Sequence, residues 1–109
     1  MANADDVTRI AVRLEGTLAA PHFNRTAFKV RRIYATLAND GSGLNLMLTP
    51  DEQAFKVMLA PEIYAQIPNG WGRNGATSVN LGNISLDELE AALRMAWEHG
   101  RATKPRGRW

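Results

Sequence analysis

Four cations lie close together in a segment where apolar and polar residues alternate: Arg25, Lys29, Arg31 and Arg32. Lys29 and Arg31 are two residues apart, so on an extended strand their side chains leave the same face. Each phosphate that such cations neutralise adds salt-dependent affinity for a nucleic acid. We therefore predict a basic β-hairpin, with Arg32 at its turn, that contacts a phosphate backbone. The alternative is the solvated polar face of a half-buried sheet.

A second candidate contact is the glycine-rich segment Trp71-Gly72-Arg73-Asn74-Gly75. Arg73 can bind phosphate or guanine, and Asn74 can pair with adenine. Trp71 can stack on an unpaired base, and glycines allow backbone amides to approach a ligand closely. The segment lacks the lysine of a P-loop. The alternative is therefore a tight loop whose Trp71 packs over the edge of the core.

The distribution of charge favours a polyanionic partner. The chain has 109 residues and a formal net charge of +2, but residues 1–32 carry +3, residues 33–98 carry −5 and residues 99–109 carry +4. Ten of the 13 cations are arginine, which suits bidentate phosphate contacts. The acidic middle leaves a second hypothesis open, a protein-interaction module whose partner surface lies in residues 33–98. A small-molecule pocket near His22 and Trp71 is a third.

The composition argues against metal and covalent chemistry. The chain has no cysteine and only two histidines, His22 and His99, whereas a metal site usually needs three or four ligands. The sequence contains neither the H-E-x-x-H pattern of zinc proteases nor the G-x-S-x-G pattern of serine hydrolases. We therefore expect no enzyme activity, no cofactor and no bound metal.

The length and the apolar pattern favour one cytoplasmic domain. A chain of 109 residues rarely holds two cores, so we expect a single domain over residues 1–100. Residues 101–109 form a basic tail that we expect to be disordered. No apolar run reaches the roughly 18 residues of a membrane span, and the polar, acidic N-terminus is unlike a signal peptide. The chain is therefore expected to be cytoplasmic. Its sequence does not determine an oligomeric state, and a monomer is favoured.

The spacing of apolar residues predicts elements in the order α-β-β-β-α-β-β-α. The first helix begins at Asp5 or Asp6, continues through Leu18 and ends at Pro21. Five strands follow from alternating patterns, in residues 28–30, 33–37, 44–48, 63–67 and 77–81. The short connections favour antiparallel pairing. The fold class is therefore α+β, a mainly antiparallel sheet with helices packed on one face.

Two later helices carry capping-box signals. Thr49 and Glu52 begin one helix, and Ser85 and Glu88 begin the last. The predicted apolar face of the first consists of Phe55, Met58 and Leu59. That of the last consists of Leu86, Leu89, Leu93 and Trp97, and this helix is predicted to end near Gly100.

Three segments of the sequence resemble the MmcQ/YjbR family. They are residues 22–30, residues 71–81, and the final helix with Leu86-Asp87-Glu88-Leu89 and Ala96-Trp97. The resemblance covers residues 5–100 and implies a frataxin-like α/β fold with two projecting β elements, the double wing. It also implies DNA as the partner.

Five residues depart from the family's usual pattern. Asn24 stands where a glycine is frequent and Thr26 where a proline is frequent, and these two changes are expected to alter only the local backbone. Arg31-Arg32 stands where Gly-Lys is common, which strengthens the phosphate-binding interpretation of the hairpin. Ala76 stands where a large aromatic residue is frequent, so a side chain for base stacking or core packing is missing there.

Overall fold

A six-stranded antiparallel sheet forms the centre of the fold in the computed structural model, which describes residues 1–102. The strands are β1 (Leu18–His22), β2 (Arg25–Lys29), β3 (Ile33–Ala38), β4 (Leu44–Met47), β5 (Tyr64–Gln66) and β6 (Ala76–Val79). They are ordered β1-β2-β3-β4-β6-β5 across the sheet. The helices are α1 (Ala4–Arg13), α2 (Pro50–Leu59), α3 (Gly70–Arg73) and α4 (Leu86–Arg101). Most of the predicted tail, residues 103–109, lies outside the described residues.

Capping side chains determine where the longer helices begin. At α1, the Asn3 side chain accepts a hydrogen bond from the Asp6 backbone N–H, and the Asp6 carboxylate accepts one from the Asn3 N–H. Thr49 and Glu52 make the predicted reciprocal pair at α2. Ser85 caps α4. Each cap satisfies backbone donors that the first helical turn leaves unpaired.

The predicted extent of the first helix is wrong. α1 ends at Arg13, and residues 18–21, expected to complete that helix, belong to the edge strand β1. Gly16 has a φ of 79°, a left-handed conformation that glycine adopts at little cost but an α-helix cannot continue through. Pro21 is tolerated because an edge strand leaves some N–H positions unpaired. The observed order therefore has one more strand than the sequence predicted, and a short α3.

Helices α1 and α4 cover one face of the sheet. Their apolar side chains and the inward-facing strand residues form one core, which includes Val7, Ile10, Leu14, Phe28, Leu37, Leu44, Leu46, Val79, Leu89, Leu93 and Trp97. Successive strand residues point to opposite faces. Thr36, Asn45, Met47 and Ala76 therefore lie on the other face, which α1 and α4 leave open. The predicted α+β class and antiparallel sheet are confirmed.

The predicted apolar face of α2 is also wrong. Phe55, Met58 and Leu59 are 54%, 70% and 62% exposed. α2 contacts β5 at the edge of the sheet, and its buried residue is the polar Gln53. Leu86 in α4, also predicted to face inward, is about half exposed. Apolar spacing identified these helices, but it did not show which side of each meets the sheet.

A charged cluster joins α2, β5 and α4. The Glu88 carboxylate accepts hydrogen bonds from Lys56 Nζ, at 2.7 Å, and from the Tyr64 hydroxyl. Burial raises the pKa of Glu88, but the hydrogen bonds from Lys56 and Tyr64 lower it by more, so the net shift is downward. Burial, reinforced by the Glu88 charge, raises the pKa of Tyr64. The cluster is therefore built around an ionised carboxylate.

We expect this cluster to make stability sensitive to acid. A carboxyl group whose pKa is lower in the folded than in the unfolded state stabilises the fold above its unfolded pKa, and this contribution disappears as pH falls through the folded value. The free energy of unfolding should therefore decrease more steeply below pH 4.5, the ordinary pKa of Glu88, in the parent than in Glu88→Gln. Urea unfolding between pH 7 and pH 3 measures this. Glu90→Gln, at an exposed position of the same helix, should retain the parent's pH profile, and identical profiles for all three proteins would contradict the assignment.

Candidate functional site

A groove crosses the face of the sheet that α1 and α4 leave open. It consists of two adjoining hollows of about 280 Å³ and about 420 Å³. Ile33, Met47, Trp71 and Ala76 line both hollows. Strands β3, β4 and β6 thus supply an apolar floor, and α3 supplies the aromatic side chain beside it.

The groove is lined by cationic and neutral side chains. Arg32 and His99 line the smaller hollow, and His22 and Arg25 line the larger one. Neither hollow includes an aspartate or glutamate among its described lining residues. All 11 acidic residues of the chain lie outside the six strands, eight of them in α1, α2 and α4. The sheet face is therefore the positive side of the domain.

Arg25 is anchored across the sheet surface. Its Nε donates to Thr36 Oγ1 at 2.8 Å, and its Nη2 donates to the backbone carbonyls of Thr36 and Gly43 at 2.9 and 3.1 Å. Burial lowers the pKa of Arg25, and the nearby Asp40 partly offsets this. An arginine stays protonated at neutral pH even so. The larger hollow thus contains a positive charge in a fixed position.

Arg32 is fixed against the end of α4. Its Nη2 donates to the carbonyls of His99 and Ala102 at 2.7 and 3.2 Å, and its backbone N–H donates to the Gly100 carbonyl at 3.0 Å. A Cβ at Gly100 would lie 2.9 Å from Tyr34 Cβ, so glycine permits this close approach. The guanidinium satisfies carbonyls that the last helical turn leaves unpaired. The hairpin tip is therefore held on α4.

Lys29 and Arg31 are the exposed cations of the hairpin. Lys29 lies opposite Ile33 in the β2–β3 pair, and directly opposed residues share a face of the sheet. Lys29 is therefore on the groove side. Arg31 lies in the turn after β2 ends, so Lys29 and Arg31 do not lie on one strand as predicted. The structure brings Arg25, Lys29 and Arg32 to one face, with Arg31 at the tip.

The glycine-rich segment forms α3 and is held from both sides. Asn69 Oδ1 accepts hydrogen bonds from the N–H groups of Trp71 and Gly72 at 2.8 and 3.1 Å. Gln53 Nε2, reaching from α2, donates to the Gly72 carbonyl at 2.9 Å and to the first carbonyl of β6 at 2.8 Å. A Cβ at Gly72 would overlap the Ile67 carbonyl oxygen at 1.6 Å. The loop that carries Trp71 is thus fixed by its own hydrogen bonds and by close backbone packing.

The three candidate residues of this loop have different positions. Trp71 lines both hollows while remaining 68% exposed, so it is not packed into the core. Asn74 lines the smaller hollow. Arg73 is exposed and lies outside the lining of either hollow. The structure therefore brings Trp71 and Asn74, but not Arg73, to the groove.

Phe23 is a groove residue that the sequence did not single out. It is 92% exposed in the β1–β2 turn and has a φ of 58°, an uncommon conformation for a bulky side chain. It lines the larger hollow beside His22, with the two ring centroids 5.0 Å apart. An exposed aromatic residue in a hairpin turn is a recognisable signal only when β1 is known to be a strand. Because the sequence predicted a helix in place of β1, Phe23 was not recognised as a hairpin-turn residue.

Two further features are absent from residues 1–102. This part of the chain holds no group of three or more His, Asp or Glu side chains arranged to bind a metal ion. None of its helices has the length and apolarity needed to cross a membrane.

The family model for YjbR matches residues 12–99. The chain belongs to the YjbR family. The match includes every residue that lines the groove, from His22 to His99. The YjbR domain also has the fold of protein DR2400 from Deinococcus radiodurans, a crystal structure with a DUF419 domain. The two superpose with a TM-score of 0.74 at 22% sequence identity, covering 89% of this chain and 77% of that one. A search of curated proteins gives no match.

Proposed function

We propose that this YjbR domain is a non-enzymatic, cytoplasmic DNA-binding domain and that the groove face is its contact surface. The observation that carries the proposal is the separation of charge. Arg25, Lys29 and Arg32 lie on the sheet face, whereas all acidic residues lie off the strands. Residues 1–102 carry a net charge of only −1. The proposal therefore depends on where the charges lie rather than on their total.

The proposed phosphate contacts are of two kinds, fixed cations and exposed cations. Arg25 and Arg32 are held by carbonyl groups, so little side-chain entropy is lost when a phosphate approaches them. Lys29 and Arg31 are exposed and can adjust to the path of the backbone. Contacts of this kind position a protein on DNA without reading its sequence. We expect weak sequence preference as a result.

The helices are poorly suited to enter a DNA groove. α1 and α4 pack their apolar sides against the sheet, and α4 contains four acidic residues, namely Asp87, Glu88, Glu90 and Glu98. Carboxylates facing a phosphate backbone are repelled by it. Strands and loops, rather than a recognition helix, are therefore the contact elements in this proposal.

The test of the proposal is fluorescence anisotropy with labelled DNA, duplex and single-stranded, at several salt concentrations. The variant Lys29→Ala/Arg31→Ala should bind less tightly than the parent, because it lacks two exposed cations. Its log–log salt dependence should be shallower, for each lost phosphate contact, by about 0.9 on duplex DNA and about 0.7 on single-stranded DNA. Arg32 is left unchanged because its guanidinium also secures α4.

The matched control is Arg13→Ala/Arg94→Ala, which removes two exposed cations from the helices α1 and α4. It changes the net charge by the same amount as Lys29→Ala/Arg31→Ala does. If DNA contacts the groove face, this control should nevertheless bind DNA as the parent does. Equal losses in both double variants would reduce the effect to net charge and contradict a groove-face contact. No binding of any DNA by the parent at low salt would refute the proposed function.

The exposed stripe on α2 favours a second candidate function, a protein-interaction module. Phe55, Met58 and Leu59 are all more than half exposed and lie three and four residues apart, so they form one face of the helix. α2 is part of the acidic middle of the chain, with Asp51 and Glu52 in its first turn. Absence of DNA binding in the anisotropy experiment, with protein co-purifying in place of nucleic acid, would favour this function.

A further inference from the structure

We infer that the groove takes unpaired nucleotides of single-stranded DNA, with one base stacked on Trp71. This inference rests on the proposed DNA-binding function and narrows it to one form of the ligand. It follows from the apolar floor of the groove, the exposed aromatic side chains beside it and the position of the cations.

The floor of the groove suits exposed bases better than a duplex. Ile33, Met47 and Ala76 supply apolar surface to both hollows. A duplex presents phosphates and sugars outward and shows only base edges in its grooves, so this apolar surface would gain no partner from it. An unpaired base has a π face of its own, which can cover apolar side chains.

The Trp71 side chain is exposed to solvent, although its backbone is fixed. It is 68% exposed, and the backbone beneath it is fixed by Asn69, by Gln53 and by the close approach of Gly72 to Ile67. Because this loop is already rigid, little conformational entropy is lost when a base stacks on its exposed aromatic side chain. Base–aromatic stacking is tolerant of sequence, because each base offers a π face.

A second aromatic side chain lies at the same groove. Phe23 lines the larger hollow and is held in a left-handed turn conformation, a type of backbone strain that clusters at ligand sites. Trp71 lines that hollow too. The two rings offer stacking positions for more than one base of the same strand.

The charges around the groove fit a strand whose bases point at the floor. Arg25 lines one hollow and Arg32 the other, while Lys29 lies on the same face opposite Ile33. With bases seated between them, the phosphates of the strand would face these cations. Polar side chains that also line the groove, Asn45, Asn69 and Asn74, offer hydrogen bonds to base edges.

The experiment compares three labelled probes by anisotropy at one low salt concentration: an oligothymidylate, an abasic oligodeoxynucleotide of the same length, and a duplex. The parent should bind oligothymidylate most tightly. Trp71→Ala should lose about 5- to 150-fold in affinity for oligothymidylate and should bind the abasic strand as the parent does. Trp71→Phe, which keeps an aromatic face, should retain most of the affinity.

Phe55→Ala is the matched control, since Phe55 is an exposed aromatic residue on α2 that lines neither hollow. It should bind all three probes like the parent, and the thermal midpoint of each variant verifies folding. Tighter binding of the duplex, or equal losses of Trp71→Ala on the abasic and thymidylate strands, would overturn the inference while leaving DNA binding intact. Failure of the parent to bind any probe would overturn both.

Discussion

Replacing Gly75 by alanine should lower the free energy of unfolding by about 3 kcal/mol or more. Gly75 has a φ of 113°, a backbone conformation that residues with a Cβ rarely adopt. A Cβ at this position would lie 1.8 Å from the Leu48 carbonyl oxygen and 2.8 Å from its carbon. The overlap is with backbone, which a rotamer change cannot relieve. Urea unfolding followed by circular dichroism measures the loss.

Gly43→Ala provides the matched control for this prediction. A Cβ at Gly43 would meet nothing within 4 Å, and its φ is not in the left-handed region. Reducing the freedom of the unfolded chain at such a site changes stability by about 1 kcal/mol or less, in the stabilising direction. If Gly75→Ala were as stable as Gly43→Ala, the close approach of the loop to Leu48 would be incorrect.

The second large effect is expected at Gln53, the buried polar residue of α2. Gln53→Leu keeps the approximate volume of the side chain but removes its hydrogen bonds to the Gly72 and Ala76 carbonyls. Each such bond contributes about 1 kcal/mol, so we expect a loss of about 2 kcal/mol. Both carbonyls also accept a backbone hydrogen bond, from Gly75 and Ile67, and for this reason the loss should be smaller than that for Gly75→Ala.

A local readout separates loosening of the Trp71 loop from general destabilisation. Hydrogen exchange of the amides in residues 72–75 should accelerate in Gln53→Leu more than exchange of the β3 amides does. Glu90→Leu, at an exposed position of α4, should leave exchange of the loop unchanged. Uniform acceleration across the domain in Gln53→Leu would argue against a specific role in holding the loop.

Short-range signals were sufficient for much of the fold. The Thr49 and Glu52 capping pair acts between near neighbours, so it appears in the sequence as it does in the structure. β1 was misassigned because helical spacing and edge-strand pairing compete over residues 18–22. Hydrogen bonding to β2 favours the strand, and this pairing cannot be read from the local sequence. The buried face of α2 is likewise set by what lies beside it, as Gln53 shows.

The groove was harder to predict than the elements that form it. Its lining runs from His22 to His99 and takes residues from five strands, the α3 loop and the end of α4. Which of them meet depends on strand order and register, neither of which a local pattern contains. The cationic segment and Trp71 were identified from residue type alone. That Arg25 and Arg32 are bound by carbonyls, and that Phe23 is exposed beside them, follows only from tertiary contacts.

The absence of acidic residues from the strands gives residues 1–102 an electric dipole with almost no net charge. Such a molecule feels little overall attraction to a distant polyanion, because the attractive and repulsive contributions nearly cancel. Within a Debye length, about 8 Å at physiological ionic strength, the two sides of the domain feel opposite forces. The resulting torque turns the sheet face toward the polyanion and the acidic helices away from it. Added salt should therefore slow productive encounters mainly by weakening this orientation.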